Sequence, residues 1–391
     1  MKRVVFERSC LFADEETGFE DHKLRNVGKV IVSEKKDRFN SYIGNRELRP
    51  GVIEVLDLLS VSGFNLAVVS DIGVRETKAK LEQTMIDHYF DKCMSSRSAE
   101  VHLREFVDSG APEDFLILVC RSGEIIEIAR KVQIPTIRIL GGEITDKGRA
   151  TLAAENIDQA DDVVFQAEVF DEITKTIRSR KQCRLIGIDG IELVGKTYFS
   201  RNLASFLDVY GMKTNVIRLS DFKSPIEVTY KGEDEVEAFY FHAFNYNKLL
   251  NEIVLPFLAD GSLDVVLTSF NDESSRYGKD MHYKIEPGGI MILVGELMLR
   301  EPLIDHFDCM IFLYMDEQEA MHRALVRDLF LGEETKEAEF KNKRIPAQKM
   351  YMSRHLPTEK SDYAIDNSNH RRPLILRDPG ETSTRTDQAH G

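Results

Sequence analysis

The chain has no tryptophan, and its 391 residues include only 5 cysteines and 11 prolines. Cys10, Cys93, Cys120, Cys183 and Cys309 are scattered, odd in number, and form no C-x-x-C pair. No histidine stands at ligand spacing from any of them, so the sequence offers neither a disulfide framework nor a zinc knuckle; buried, reduced thiols are the expectation. No apolar run approaches the roughly 18 residues that a membrane helix needs. The opening "MKRVVFERSCLF" lacks the apolar stretch and cleavage site of a secretion signal, and a cytoplasmic location without a membrane partner is expected. Positive charge is also short. With 52 basic residues against 66 acidic ones the formal charge is −14, which disfavours nonspecific attraction to nucleic acid or anionic lipid, although a local basic groove stays open.

What the chain does have is length and alternation. Its size suits two domains, each able to bury a core of its own. In the first half, strand-like runs at 3–7, 65–71, 115–120, 136–140 and 162–166 alternate with helical patterns such as Val52 to Leu59. The second half does the same, with runs at 184–189, 215–220, 263–270, 290–295, 309–315 and 362–366. Strands alternating with helices imply two parallel sheets covered on both faces. The boundary is expected in the charged stretch Asp171 to Gln182, giving domains at 1–172 and 178–373. The polar remainder, 374–391, lacks periodicity and is expected to be disordered.

The stretch "LIGIDGIELVGKTYF" contains Gly190, Glu192, Leu193, Val194, Gly195, Lys196 and Thr197 in the pattern G-x-x-x-x-G-K-T. An apolar strand precedes it, and Phe199, Leu203, Phe206, Leu207 and Tyr210 follow at helical spacing. Strand, glycine loop and helix are what a phosphate-binding loop requires. Its backbone N–H groups cradle phosphates at the helix N-terminus, Lys196 reaches the β/γ oxygens, and Thr197 holds magnesium. Asp189, just before the loop, reads as a strand-end turn residue.

From Cys183 to Pro373 the chain resembles the uridine kinase and phosphoribulokinase-like family of small-molecule kinases. The resemblance is carried by "GIDGIELVGKTYFSRNLASFL", "VIRLSDFKSP", "FYFHAFNYNKLLNEIVLPF", "ILVGELMLREPLIDHFDCMIFLYM" and "KRIPAQKMYMSRHLPTEKSDYAIDNS", in that order and spacing. It implies ATP and Mg2+ as cofactors and transfer of the γ-phosphoryl group to a hydroxyl of a small nucleoside- or sugar-like acceptor. It places Arg323 and Arg327 as arginines that clamp the transferring phosphates, with Arg344 and Lys349 as weaker candidates. Arg276, His242 and Tyr246 fall where the acceptor would be contacted; for His242 and Tyr246 a place in the aromatic core is the competing reading. Where the family carries its base, two residues before an aromatic, this chain has Ser220, and the acid is the next residue, Asp221. The family's acid–glycine pair likewise reads Gly295-Glu296. Asp221 is therefore read as base or magnesium-side acid, or else a capping residue, and Glu296 as a magnesium-side acid or a solvated loop carboxylate.

Met1 to about Phe170 resembles haloacid dehalogenase-like (HAD) phosphatases through "VVFERSCLF", "LRPGVIEVLDLLSVSGFNLAVVSD" and "APEDFLILVCRSGEIIEIARKVQIPTIRIL". The expected fold is thus a HAD-like sheet followed by a P-loop sheet, both doubly wound. The phosphatase chemistry has gone. The nucleophile and acid/base aspartates read Glu7 and Ser9, with Cys10 following; the second motif keeps Ser70 and Asp71; the lysine region offers only Ser96-Arg97. The metal motif reads Cys120-Arg121-Ser122-Gly123-Glu124, and a guanidinium in place of a carboxylate repels a cation. A scaffold, dimerisation surface or ligand sensor is the expected role of this half, so a homodimer is an open alternative. Two other functions compete with the kinase: a nucleotide-binding pseudoenzyme acting through partner contacts, and a bifunctional polynucleotide kinase/phosphatase, which the acid excess and missing aspartates disfavour.

Overall fold

A computed structural model describes residues 1–13, 47–70, 72–111, 114–140, 150–271, 276–331 and 339–379. The chain divides into two compact units, Met1–Glu168 and Val169–Gly391. The division falls inside the helix Ala160–Ser179.

In the first unit, strands β1 (Lys2–Glu7), β2 (Phe64–Ser70), β3 (Phe90–Ser95), β4 (Phe115–Cys120), β5 (Thr136–Ile139) and β6 (Leu152–Ala154) form one sheet in the order β3-β2-β1-β4-β5-β6. Every pairing is parallel. β1 and β4 are buried almost throughout, which explains their continuous apolar runs: a parallel strand covered on both faces has no polar side to alternate with. The run 162–166, expected as a strand, is helical. Ala160, Val163, Val164, Ala167, Phe170, Ile173 and Ile177 are all buried, a spacing of three and four that a strand cannot use.

In the second unit, β7 (Leu185–Gly190), β8 (Thr214–Arg218), β11 (Ile290–Val294), β12 (Cys309–Tyr314), β13 (Tyr363–Asp366) and β14 (Leu374–Arg377) form a sheet in the order β14-β13-β12-β7-β11-β8. All its pairings are parallel except β13 with β14. Two expectations are corrected here. The stretch expected to be disordered begins with β14, whose "LILR" lies antiparallel along β13. The run 263–270 does not join the sheet either. It lies in β9 (Leu263–Asn271), which pairs only with β10 (Arg276–Ile285) in a two-stranded antiparallel ribbon. Exposed Asp264, Val266 and Thr268 alternate with less exposed neighbours, the pattern of a ribbon with one solvated face.

The helix Lys196–Val209 buries Phe199, Leu203, Phe206 and Leu207, each worth roughly 1.5–3 kcal/mol against exposure. It stops at Gly211, which takes φ +78°. Among the described residues no helix is long and apolar enough to cross a membrane.

Candidate functional site

The C-terminal ends of β7, β11 and β12 present the candidate site. The loop Ile191–Gly195 joins β7 to the helix Lys196–Val209, and glycines bound it for different reasons. Gly190 takes φ +151°, and a Cβ there would lie 2.5 Å from the Leu313 carbonyl oxygen. Gly195 takes φ +95° immediately before the helix, a conformation that costs a side-chain-bearing residue. Between them Leu193 holds φ +68°, uncommon for a bulky residue and maintained only where neighbours enforce it.

Two neighbours do so. Arg323 Nη1 donates to the Leu193 carbonyl at 3.1 Å and Asn367 Nδ2 to that of Val194 at 2.5 Å. Arg323 also donates through Nε to Glu319 (2.7 Å) and through Nη2 to the carbonyls of Asn367 (3.3 Å) and Ser368 (2.5 Å). This guanidinium is spent on protein acceptors at Nε, Nη1 and Nη2. In this arrangement it braces the loop from behind. Asn367 was not singled out from sequence; its place just after β13, at the end of a strand beside the loop, is the signal that could have found it.

Lys196 Nζ donates to the carbonyls of Gly190 (2.8 Å) and Ile191 (2.7 Å). Burial pulls its ammonium below the ordinary lysine value, against the attraction of Glu296, then Asp189 and Glu192. Thr197 is exposed on the first helical turn. Asp189 is not a turn residue at a strand end. It is fully buried and accepts from Gly190 N at 2.7 Å, Met298 N at 3.1 Å and the hydroxyl of Tyr351. Burial raises its carboxyl above the usual range while these donors oppose the shift.

Glu296 follows β11 and is 8% exposed. It is not a solvated loop carboxylate: burial pushes its pKa up, against Arg344 and Lys196, and Arg344 Nη1 lies 3.7 Å from its Oε1. Asp221 sits in the short turn after β8, where it accepts from Tyr283 Oη at 3.1 Å and lies 3.8 Å from Arg218 Nε. So the structure buries Glu296 within reach of Arg344 and turns Asp221 toward the β9–β10 ribbon. Arg327 and Arg344 both donate to Glu192 of the loop, whereas Lys349 pairs with Glu317 at the surface.

The acceptor candidates fare differently. His242 is exposed at the end of the helix Glu235–His242. Tyr246 is buried; its hydroxyl donates to the Leu297 carbonyl at 3.2 Å and accepts from Arg300 Nη2 at 3.0 Å, so it supports the segment that carries Glu296. Arg276 is exposed at the start of β10 opposite Asn271.

The donor set fits a magnesium nucleotide. Magnesium is held by one or two protein ligands plus phosphate oxygens and water; the exposed Thr197 hydroxyl and the Glu296 carboxylate are of the right kind. Among the described residues no group of three or more His, Cys, Asp or Glu could hold a metal without such help.

The first unit closes its corresponding position on itself. Glu7, at the end of β1 and 4% exposed, accepts from Arg121 N (2.7 Å) and Ser122 N (3.0 Å) at the start of the helix Gly123–Lys131. A pair of N–H groups at a helix N-terminus is where an anion would bind, and the chain's own carboxylate holds it. Ser70 is buried and accepts from Gly73 N (2.9 Å) and the Thr77 hydroxyl (2.6 Å). Burial, then the Glu7 charge, pushes the Cys10 thiol up. Ser96 and Arg97 form a short turn after β3; Asp71 lies outside the described residues. Glu7→Ala is expected to leave the two N–H groups unpaired at a cost of about 1–3 kcal/mol. Millimolar phosphate should then raise the melting temperature of the variant and not of the wild type. Equal shifts in both proteins would show that Glu7 guards no anion position.

No protein-family model matches the chain, and no curated protein matches it. Among solved structures, a possible uridine kinase from Bacillus stearothermophilus is similar over 50% of this chain and 96% of its own, at 18% identity and a TM-score of 0.40. A HAD-superfamily hydrolase from Ehrlichia chaffeensis is similar over 42% of this chain and 96% of its own, at 17% identity and a TM-score of 0.28.

Proposed function

We propose that the second unit is a kinase that uses ATP and magnesium to phosphorylate a hydroxyl of a small nucleoside- or sugar-like molecule. The observation that supports this most is the loop itself: glycines at both strained ends and a lysine whose ammonium is held by two loop carbonyls, with a buried glutamate at the end of the neighbouring strand β11. Phosphoryl transfer asks the protein for positioning and charge neutralisation more than for covalent chemistry. Lys196 would neutralise the β/γ phosphates, Thr197 and Glu296 would hold magnesium, and Glu296 is also the carboxylate best placed to take the acceptor proton. Asp221, engaged by Tyr283 and Arg218, would act on the acceptor side with Arg276. The first unit, Met1–Glu168, would be a catalytically silent scaffold or sensor, and the second, Val169–Gly391, the kinase domain.

The turn of Asp221 toward Tyr283 favours a second reading, a nucleotide-binding pseudoenzyme. The two are separated by measuring magnesium-ATP binding together with ADP release across a library of nucleosides, sugars and vitamins. Acceptor-dependent ADP release supports the kinase. Tight ATP binding with no acceptor-dependent release in any case supports the pseudoenzyme.

A further inference from the structure

The C-terminal end of β12 borders a cavity of about 150 Å³ that the site described above does not use. Ala320 of the helix Glu317–Leu331 lines one side, and Ile345, Gln348 and Met352 of the helix Ile345–His355 line another. Leu313 and Ile191 complete it. Ile191 belongs to the phosphate loop, and its carbonyl receives the Lys196 ammonium at 2.7 Å, so the cavity adjoins that loop. Arg323, on the same helix as Ala320, reaches instead to Leu193 and Ser368. Asp221 follows β8, at the far edge of the sheet from β12.

The walls are apolar with one exception. Gln348 is 9% exposed, and its side-chain amide has no hydrogen-bond partner among the described residues. Buried polar groups ordinarily have partners, and a leucine of similar volume would fill this position without leaving an amide unpaired. A purely apolar cavity of about this volume stays dry and admits one benzene ring. An apolar pocket with a single fixed polar group has the make-up of a small-molecule site. The amide offers an N–H donor and a carbonyl acceptor side by side. A six-membered lactam meets both demands: its flat body suits the apolar walls, its carbonyl can accept from Gln348 Nε2, and its adjacent ring N–H can donate to Gln348 Oε1. At the rim Lys349 Nζ lies 2.8 Å from Glu317 Oε2, so these two charges answer each other and call for no charged ligand. We propose that this cavity is a binding site, separate from the phosphate loop, for a neutral single six-membered ring with a lactam edge, and that Gln348 recognises that edge. The site stands whether or not the second unit transfers phosphate.

The test is calorimetric titration of the full chain with 2-pyridone, with toluene as a ring of like size without the polar edge, and with adenine as a bicyclic ring. Wild type is expected to bind 2-pyridone with a Kd of about 1 mM or tighter, a modest demand for so small a ligand, and toluene about tenfold more weakly or worse. Gln348→Leu should reverse the order, losing about tenfold for 2-pyridone and gaining for toluene. Without ligand that variant should melt at or above the wild-type temperature, because it removes an unpaired buried amide. Ala320→Leu, which fills the cavity, should bind neither ring. Failure of wild type to bind 2-pyridone overturns the assignment, as does binding that Gln348→Leu leaves unchanged. A Gln348→Leu variant that melts well below wild type would show that the amide serves the fold, and overturns it too. Adenine binding that Gln348→Leu abolishes would make the cavity a seat for a purine, and the single-ring assignment would fall.

Discussion

Lys196→Ala is expected to reduce acceptor phosphorylation below detection and to remove the rise in melting temperature that magnesium-ATP gives the wild type. Lys196 is the only side chain of the loop that supplies positive charge where the β/γ phosphates would lie, and its ammonium is already oriented by the carbonyls of Gly190 and Ile191. A ligand that binds only the folded state stabilises it in proportion to the logarithm of ligand over Kd, about 2.7 kcal/mol at a hundredfold excess. The variant should fold, because it loses two side-chain bonds to carbonyls at the end of β7 and no apolar core residue. Differential scanning fluorimetry with and without magnesium-ATP, run beside an ADP-release assay, checks both parts. Equal thermal shifts in variant and wild type would remove the phosphate-loop assignment.

Glu296→Gln should lower the rate with acceptor by about 10²–10⁴-fold, the range of general-base assistance, while Asp221→Asn should cost less than about tenfold. The two acids are distinguished by surroundings. Asp221 receives the Tyr283 hydroxyl and faces Arg218; Glu296 is buried with Lys196 and Arg344 as its opposing charges, and its folded pKa lies above the ordinary value of 4.5. The sign for catalysis follows from this. A base must be ionised, so activity should fall as pH drops through that raised value, and the limb should vanish from the residual rate of Glu296→Gln. For stability the sign is opposite. A carboxyl whose folded pKa is raised contributes stability that is present below its unfolded pKa and is lost as pH rises through the folded one, so the variant should lose less stability than wild type over that window. A large effect at Asp221 with none at Glu296 would reverse the assignment.

How far the sequence could be read depended on how far apart the cooperating residues lie. The phosphate loop was legible because every residue that defines it falls within Gly190–Thr197, and the buried parallel strands were legible because both faces demand apolar residues. The run at 162–166 was misread because five apolar or polar residues fit either period; only the wider set from Ala160 to Ile177 settles it. Asp189 and Arg323 could not have been assigned locally. The partner of the first, Tyr351, is 162 residues away, and Leu193, which Arg323 braces, is 130 away. Glu296 was recognised as an acid near the site, but its charge partner, Arg344, arrives from far along the chain. Tertiary contacts carried the rest.

The helix Ala160–Ser179 bears on how the second unit can be excised. Its latter half belongs to that unit: the Phe170 ring lies 4.9 Å from Phe199 and 5.6 Å from Phe206, both on the phosphate-loop helix. Thr176 meets the Tyr363 hydroxyl at 2.6 Å on β13. A clone starting at residue 178, just before the first strand of the sheet, would therefore strip the back of the helix Lys196–Val209, whose front end carries Lys196 and Thr197. It would uncover the rings of Phe199 and Phe206 and invite aggregation. Expression trials should begin upstream of residue 160, so that the cut spares the whole helix.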